Sequence, residues 1–388
     1  MSGIVLSAAV RQNLLSLQST AELLSTTQNR LASGKKVNTA LDNPTNFFTA
    51  QGLDNRASDI NNLLDAIGNG VQVLQAANTG ITSLQKLVDT ARSIANQVLQ
   101  TTVGYSPKST VSSSAALGGT AANLVDGVTI KVGDLLTIAS TGGGTPTSIT
   151  FGANESLDQL NAAFGPNNLS AGLDANNKLV ITTLNDAASK TIGAVTYTNT
   201  GGGTVTFGAV NPPIADVNSQ VTRANLVAQY NNIIAQITTT SQDASFNGIN
   251  LLNGDDLKLT FNETGKSTLN IRGVTYDAAG LGLAPLTAGT DFLDNDSAKA
   301  VIAKISLASD VLRSEASSLG SNLSIVQIRQ DFSKNLIIVL QTGSANLTLA
   351  DSNEEAANSQ ALSTRQSIAV SALALSNQSQ QSVLKLLQ

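Results

Sequence analysis

The chain contains no histidine, no cysteine and no tryptophan. Without imidazole or thiolate it lacks the commonest general base, the sulfur nucleophile and the usual zinc and copper ligand sets. A hydrolase or transferase would have to work with carboxylates, lysine, tyrosine or serine alone. Charged residues are 13% of the 388 positions, about half the usual share, and aromatics are 3%. Ser, Thr, Asn, Gln, Ala and Gly fill the gap, which suits fine packing better than a large mixed enzyme core. A net charge of -5 leaves no basic stripe to displace counterions from nucleic acid. These absences exclude imidazole and thiolate chemistry and argue against a nucleic-acid partner; no catalytic residue, no cofactor and no metal site is singled out. No uninterrupted apolar run approaches the roughly 18 residues of a membrane helix, so no membrane insertion is expected. The start has no basic n-region, and Arg11 and Gln12 interrupt its apolar run. Export is therefore expected to use a route that reads no cleaved signal peptide.

Helical periodicity, by contrast, is abundant. Val10, Leu14, Leu17, Ala21, Leu24, Gln28 and Leu31 recur at 4-3 spacing. Leu362, Ala369, Leu373, Val383 and Leu387 fall on an equivalent stripe at the other end, which closes on VLKLLQ without a polar tail. Apolar residues at heptad spacing face other helices. Full burial of Val10, Leu14, Leu17, Leu24 and Leu31 contributes roughly 8–15 kcal/mol, whereas ordering the helix that carries them costs roughly 20–40 kcal/mol. A purely internal bundle is the plainer reading, but this balance favours contacts between copies. The predicted assembly interface is Val10, Leu14, Leu17, Leu24, Leu31, Leu362, Leu373, Val383 and Leu387.

Along the chain, helix is predicted over 7–32, ending at Gly34 before the pair Lys35 and Lys36. That pair reads as solvated charge closing the helix, in preference to an inter-subunit salt bridge. Asp42-Asn43-Pro44 is a turn that opens a second, long helix. Its stripe runs from Ile60 through Leu64, Ile67, Val71 and Leu74 to Val98, and Gly68, Gly70 and Gly80 inside it cost about 1 kcal/mol each against alanine. At Gly104 the composition turns to Gly, Thr and Ser. β-runs are expected at 128–132, 148–151, 179–183, 194–198 and 204–207, with one amphipathic helix at 156–164. The clusters 142–144 and 201–203 are loops, too isolated to cradle phosphate.

Helix returns at 217–240 through Val221, Leu226, Tyr230, Ile233 and Ile237. A hairpin of 257–261 with 269–271 follows, its turn at 263–266. A last helical region begins near Asp296, passes Ile302, Ile305, Leu312, Leu319, Ile325, Ile328, Phe332 and Val339, and weakens near Gly343. Glu354 and Glu355 read as the charged first turn of the terminal helix. The expected fold class is mainly α with an inserted β-rich domain: terminal helices in a coiled-coil-like inner domain, and a helical bundle with a β-hairpin.

The segment RLASGKKVNTALDNP (30–44) resembles the Arg-Leu-Ser-Ser-Gly signature of bacterial flagellins. FNGINLL (246–252) is similar to the segment before that family's small hairpin, and 347–388 resembles its Gln-x-x-Gln-x-Val-Leu-x-Leu-Leu close. The resemblance implies terminal helices of an inner tube domain (1–44 and 346–388), a helical shell (45–104 and 216–345, hairpin 257–271) and a variable outer domain (105–215). It implies a non-enzymatic subunit, exported unfolded by the flagellar type III route, found in the extracellular flagellar filament and used for swimming. Its implied partners are further copies of itself as a homo-polymer, an export chaperone, a filament cap protein and hook-associated junction proteins. The insert departs from the enteric pattern by splitting the helices before the hairpin. The Arg-Glu-Leu element read by the vertebrate innate receptor aligns with Arg92, Ser93 and Ile94, which implies weakened recognition at this possible epitope. Two other functions fit the same residues: a hook-filament junction protein, and a surface adhesin whose β-rich domain binds glycans.

Overall fold

The computed structural model describes residues 8–386. Among these, the helices are α1 (Ala8–Ser33), α2 (Pro44–Gln100), α3 (Leu157–Phe164), α4 (Val217–Asp243), α5 (Asn295–Thr348) and α6 (Ser352–Leu386). The strands are β1 (Thr110–Ser112), β2 (Leu135–Ile138), β3 (Thr147–Thr150), β4 (Leu169–Leu173), β5 (Leu179–Thr183), β6 (Val195–Thr198), β7 (Leu257–Thr260) and β8 (Thr268–Ile271). The chain divides into two compact units, 1–70 with 258–269 and 325–388, and 71–257 with 270–324.

In the first unit α1 packs along α6. The first part of α2 lies against the last part of α5, where Ala57 and Ile60 meet Ile337 and Leu340, with Leu53, Leu64 and Leu336 around them. Pro44 opens α2 where a missing N–H costs nothing, and Asn43 Oδ1 caps it by accepting from the Asn46 amide at 3.0 Å. The loop that joins β7 to β8 is held by the Arg56–Glu263 ion pair at 2.8 Å and by Arg329 over the Phe261 ring at 5.6 Å. Contrary to expectation, α5 does not weaken at Gly343. Leu340 is in the buried cluster and Ser344 Oγ donates to Asp54 Oδ2 at 2.8 Å, so packing carries the helix through the glycine.

The second unit holds two three-stranded antiparallel sheets, in the orders β1-β5-β4 and β3-β2-β6. Leu136, Ile138, Phe151, Leu160, Phe164, Leu179 and Ile181 form their shared core. The short α3 is set by a reciprocal capping box between Ser156 and Gln159. Two expected strands are absent. The alternating run 128–132 turns instead around Asp126, which accepts hydrogen bonds from the amides of Val128, Thr129 and Ile130 and from the Thr129 hydroxyl. Partial burial would raise the Asp126 carboxyl, but these four donors outweigh it and bring the pKa down to about 2. Residues 204–207 likewise form no ladder: Thr204 and Val205 both donate to Thr129 O. Strands β1, β2 and β4 occur where none was expected.

The helical glycines of α2 are not equivalent. A Cβ on Gly80 would lie 2.6 Å from both Ala244 Cβ and Leu252 Cδ1, whereas one on Gly68 would meet only Gln330 Nε2 at 3.8 Å. Gly68→Ala is therefore expected to raise stability by about 0.5–1 kcal/mol through helix propensity. Gly80→Ala is expected to lower it by about 1–3 kcal/mol through overpacking. Urea unfolding of the two variants checks the opposite signs.

Candidate assembly surface

Among the described residues no cluster of acidic residues could hold a metal ion, and no helix is long and apolar enough to cross a membrane. What the first unit presents is apolar surface. Along the α1/α6 seam Val10 is buried, while Leu14, Leu17 and Leu24 of α1 and Leu362, Ala369 and Leu373 of α6 are only half-buried. The seam runs one residue away from the expected stripe in places. Thr20 and Thr27 are buried where Ala21 and Gln28 were expected, and Thr20 Oγ1 satisfies itself on Ser16 O at 2.8 Å. Leu31 lies off the seam and is 42% exposed. Beside it Arg30, its side chain also partly exposed, reaches across the seam, and its guanidinium meets Glu355 Oε1 at 3.3 Å. Val383 lies in α6, but its side chain, like the whole of Leu387, is outside the described residues.

The junctions between helices are tied to one another. Gly34 ends α1 at φ +67°. Thr348 O then accepts from Lys36 N at 2.8 Å and Val37 N at 3.2 Å, and Ala350 N donates to Gly34 O at 3.0 Å. Lys36 Nζ also donates to Asn346 O at 3.2 Å. Its charge therefore complements the carbonyl end of α5, where the sequence suggested the end of α1. Lys35 remains exposed. Asp351 Oδ1 caps α6 by accepting from the Asn353 and Glu354 amides. Glu354 and Glu355 sit in that first turn as expected, but Glu355 is buried and its Oε2 has no hydrogen-bond partner.

On α5, the residues read from the sequence as one stripe divide into two. Ile305, Leu312 and Leu319 are buried. Ile325, Ile328, Phe332 and Val339 of the first unit are exposed, Ile328 by 65% and Phe332 by 58%. At 100° per residue these four fall within a narrow arc of the helix, so they lie on one uncovered face of it. Ile368 and Leu375 of α6 and Leu15 and Leu23 of α1 are exposed as well. Soluble monomers seldom leave so much contiguous apolar surface without a partner for it.

Arg92, Ser93 and Ile94 lie on α2 in the second unit. Arg92 donates to Ser306 Oγ at 2.6 Å, Ser93 is exposed, and Ile94 is buried. Only Ser93 and part of Arg92 present side-chain surface there. Arg223 of α4 lies outside the residues expected to matter. Its guanidinium is fully buried and donates to the carbonyls of Val98, Thr101, Thr102 and Phe292. The available signal was a lone charge between Ser219 and Leu226 on the inward face of α4.

Residues 5–145 match the description of the bacterial flagellin N-terminal helical region, and residues 302–387 that of the bacterial flagellin C-terminal helical region. Over 163 residues the chain is 33% identical to flagellin FljM and 32% identical to flagellin FljK of Caulobacter vibrioides, covering 42% of this chain and 58% of each relative. Over 87 residues it is 38% identical to flagellin A of Rhizobium meliloti, covering 22% of each chain.

Proposed function

The chain belongs to the bacterial flagellin family, and from that premise we propose that it is a structural subunit of the flagellar filament, polymerising with copies of itself for swimming motility. The observation that carries this reading is the first unit's uncovered apolar surface: a half-buried α1/α6 seam beside the exposed stripe Ile325, Ile328, Phe332 and Val339. Neighbouring copies would cover both. Val10, Leu14, Leu17, Leu24, Leu31, Leu362, Leu373, Val383 and Leu387 belong to this contact surface, with Leu31 as an outward-facing member.

The same reading assigns 1–44 and 346–388 to the inner tube, 45–104 and 216–345 to the shell, and 105–215 to the outer surface. It makes the protein non-enzymatic and places it outside the cell, exported without a cleaved signal peptide. Its other partners would be an export chaperone, the filament cap and the hook-associated junction proteins. A glycan-binding insert is not favoured: Phe151, Tyr197 and Phe207 pack on one another, and among the described residues no aromatic ring of 105–215 is exposed to stack on a sugar.

Electron microscopy tests the proposal. Purified chain, seeded with sheared filament fragments, is expected to grow into long helical tubes. Protein that stays dispersed at every concentration would refute it. Trace abundance in sheared filaments, beside a different major subunit, would point to a junction protein.

A further inference from the structure

The chain contains three Asn-Gly pairs, Asn69-Gly70, Asn247-Gly248 and Asn253-Gly254, and the fold treats each differently. An asparagine side chain is attacked by the backbone nitrogen of the next residue when that nitrogen is uncommitted and no Cβ obstructs the approach. Asn69-Gly70 lies inside α2 and Gly70 is buried, so the helix ladder holds the nucleophile. Asn253-Gly254 is partly confined. Asn253 bridges to Thr275, its N–H donates to Asn250 O at 3.1 Å, and a Cβ on Gly273 would lie 2.9 Å from the Gly254 carbonyl carbon.

Asn247-Gly248 is open. Their φ angles of 51° and 82° make a tight two-residue turn. It is closed only by the reciprocal bonds Phe246 N to Ile249 O at 3.0 Å and Ile249 N to Phe246 O at 3.1 Å. Both residues are exposed, and no atom lies within 4 Å of the place a Gly248 Cβ would occupy.

We propose that Asn247 is a site of spontaneous covalent modification, deamidating through a succinimide formed with Gly248. The Gly248 nitrogen loses its proton to a solvent base and bonds to Asn247 Cγ. The Cγ–Nδ2 bond breaks and the side-chain nitrogen leaves as ammonia. Water then adds to either carbonyl of the five-membered ring, opening it to aspartate or to a β-linked isoaspartate, and nothing is oxidised or reduced. The left-handed turn must open first, and only its two backbone bonds resist. Each event adds one negative charge to the turn, and the isoaspartyl product lengthens the backbone inside a turn that has room for two residues.

The test incubates the intact folded chain in mildly alkaline buffer at physiological temperature, with acid-protease digestion and electron-based fragmentation to separate the two products. Asn247 is expected to convert at least ~10-fold faster than Asn69, with Asn253 between them and the three rates converging in denaturant. Asn247→Gln, whose ring closure is six-membered and slow, should remove the signal at 247 and leave Asn253 unchanged. Circular dichroism confirms that this variant is folded. Equal conversion of Asn247 and Asn69 in the folded chain would overturn the proposal. So would faster conversion of Asn253, or an inert Asn247 over a period in which the denatured chain reacts.

Discussion

Phe332→Asp is expected to abolish filament growth while leaving the unfolding of the free chain almost unchanged. Phe332 is 58% exposed on α5, in the arc it shares with Ile325, Ile328 and Val339. In a single copy the substitution touches solvent, and such surface changes stay within about 0.5 kcal/mol. In a polymer the same carboxylate would be pressed against a neighbour's apolar side chains, and an unpaired buried charge costs several kcal/mol. That raises the critical concentration by roughly 100-fold or more. Sedimentation of seeded reactions measures the polymer, and thermal unfolding measures the monomer. Phe332→Leu, which keeps the apolar surface, should polymerise. If the aspartate variant sediments like the parent, the stripe is not a contact between copies.

Arg223→Met is expected to destabilise the second unit by roughly 3–5 kcal/mol, since several carbonyls lose their donor at once and unpaired buried polar groups are costly. The Arg223 Nε reaches Thr102 O at 2.7 Å, and its other nitrogens reach Val98 O, Thr101 O and Phe292 O. One planar fork thus closes the carbonyl end of α2 and pins the segment leading into α5. Burial depresses the guanidinium pKa, opposed by the nearby Asp294 charge. Arg223→Lys should recover little, because an ammonium cannot span carbonyls on separate segments. Urea unfolding monitored by hydrogen exchange at the end of α2 reads the loss. A change under about 1 kcal/mol would show that water replaces the guanidinium without penalty.

The helices and the β7/β8 hairpin were legible because periodicity, caps and turn residues agree locally. Asn43-Pro44 opens α2, Gly34 closes α1 and Ser156 caps α3, each near its expected place. Helical phase was less legible. In α4 the expected stripe began at Val221, yet Val221 faces solvent while Ser219 and Arg223 turn inward. A buried hydroxyl or guanidinium is favourable only once its partners exist, and those partners are distant in sequence. The insert failed for a related reason. Residues 128–132 alternate as a strand should, but Asp126 offers its amides a nearer acceptor. β4, with Gly172 inside it, has weak strand propensity and is fixed by pairing with β5. On the surface the difficulty was one of principle. Exposed Ile328 and Phe332 and buried Leu312 and Leu319 share a single helical pattern, and only the fold separates the two sides.

The hydrogen bonds joining 34–37 to 348–350 make the two ends of the chain answer to each other. Thr348 O holds Lys36 and Val37, Gly34 O holds Ala350, and Arg30 reaches Glu355 just beyond. Neither α1 nor α6 can swing away from its junction without breaking bonds made by the other. Recruitment of one terminus therefore delivers the second already aligned, so their ordering entropy is lost in one event and not in two.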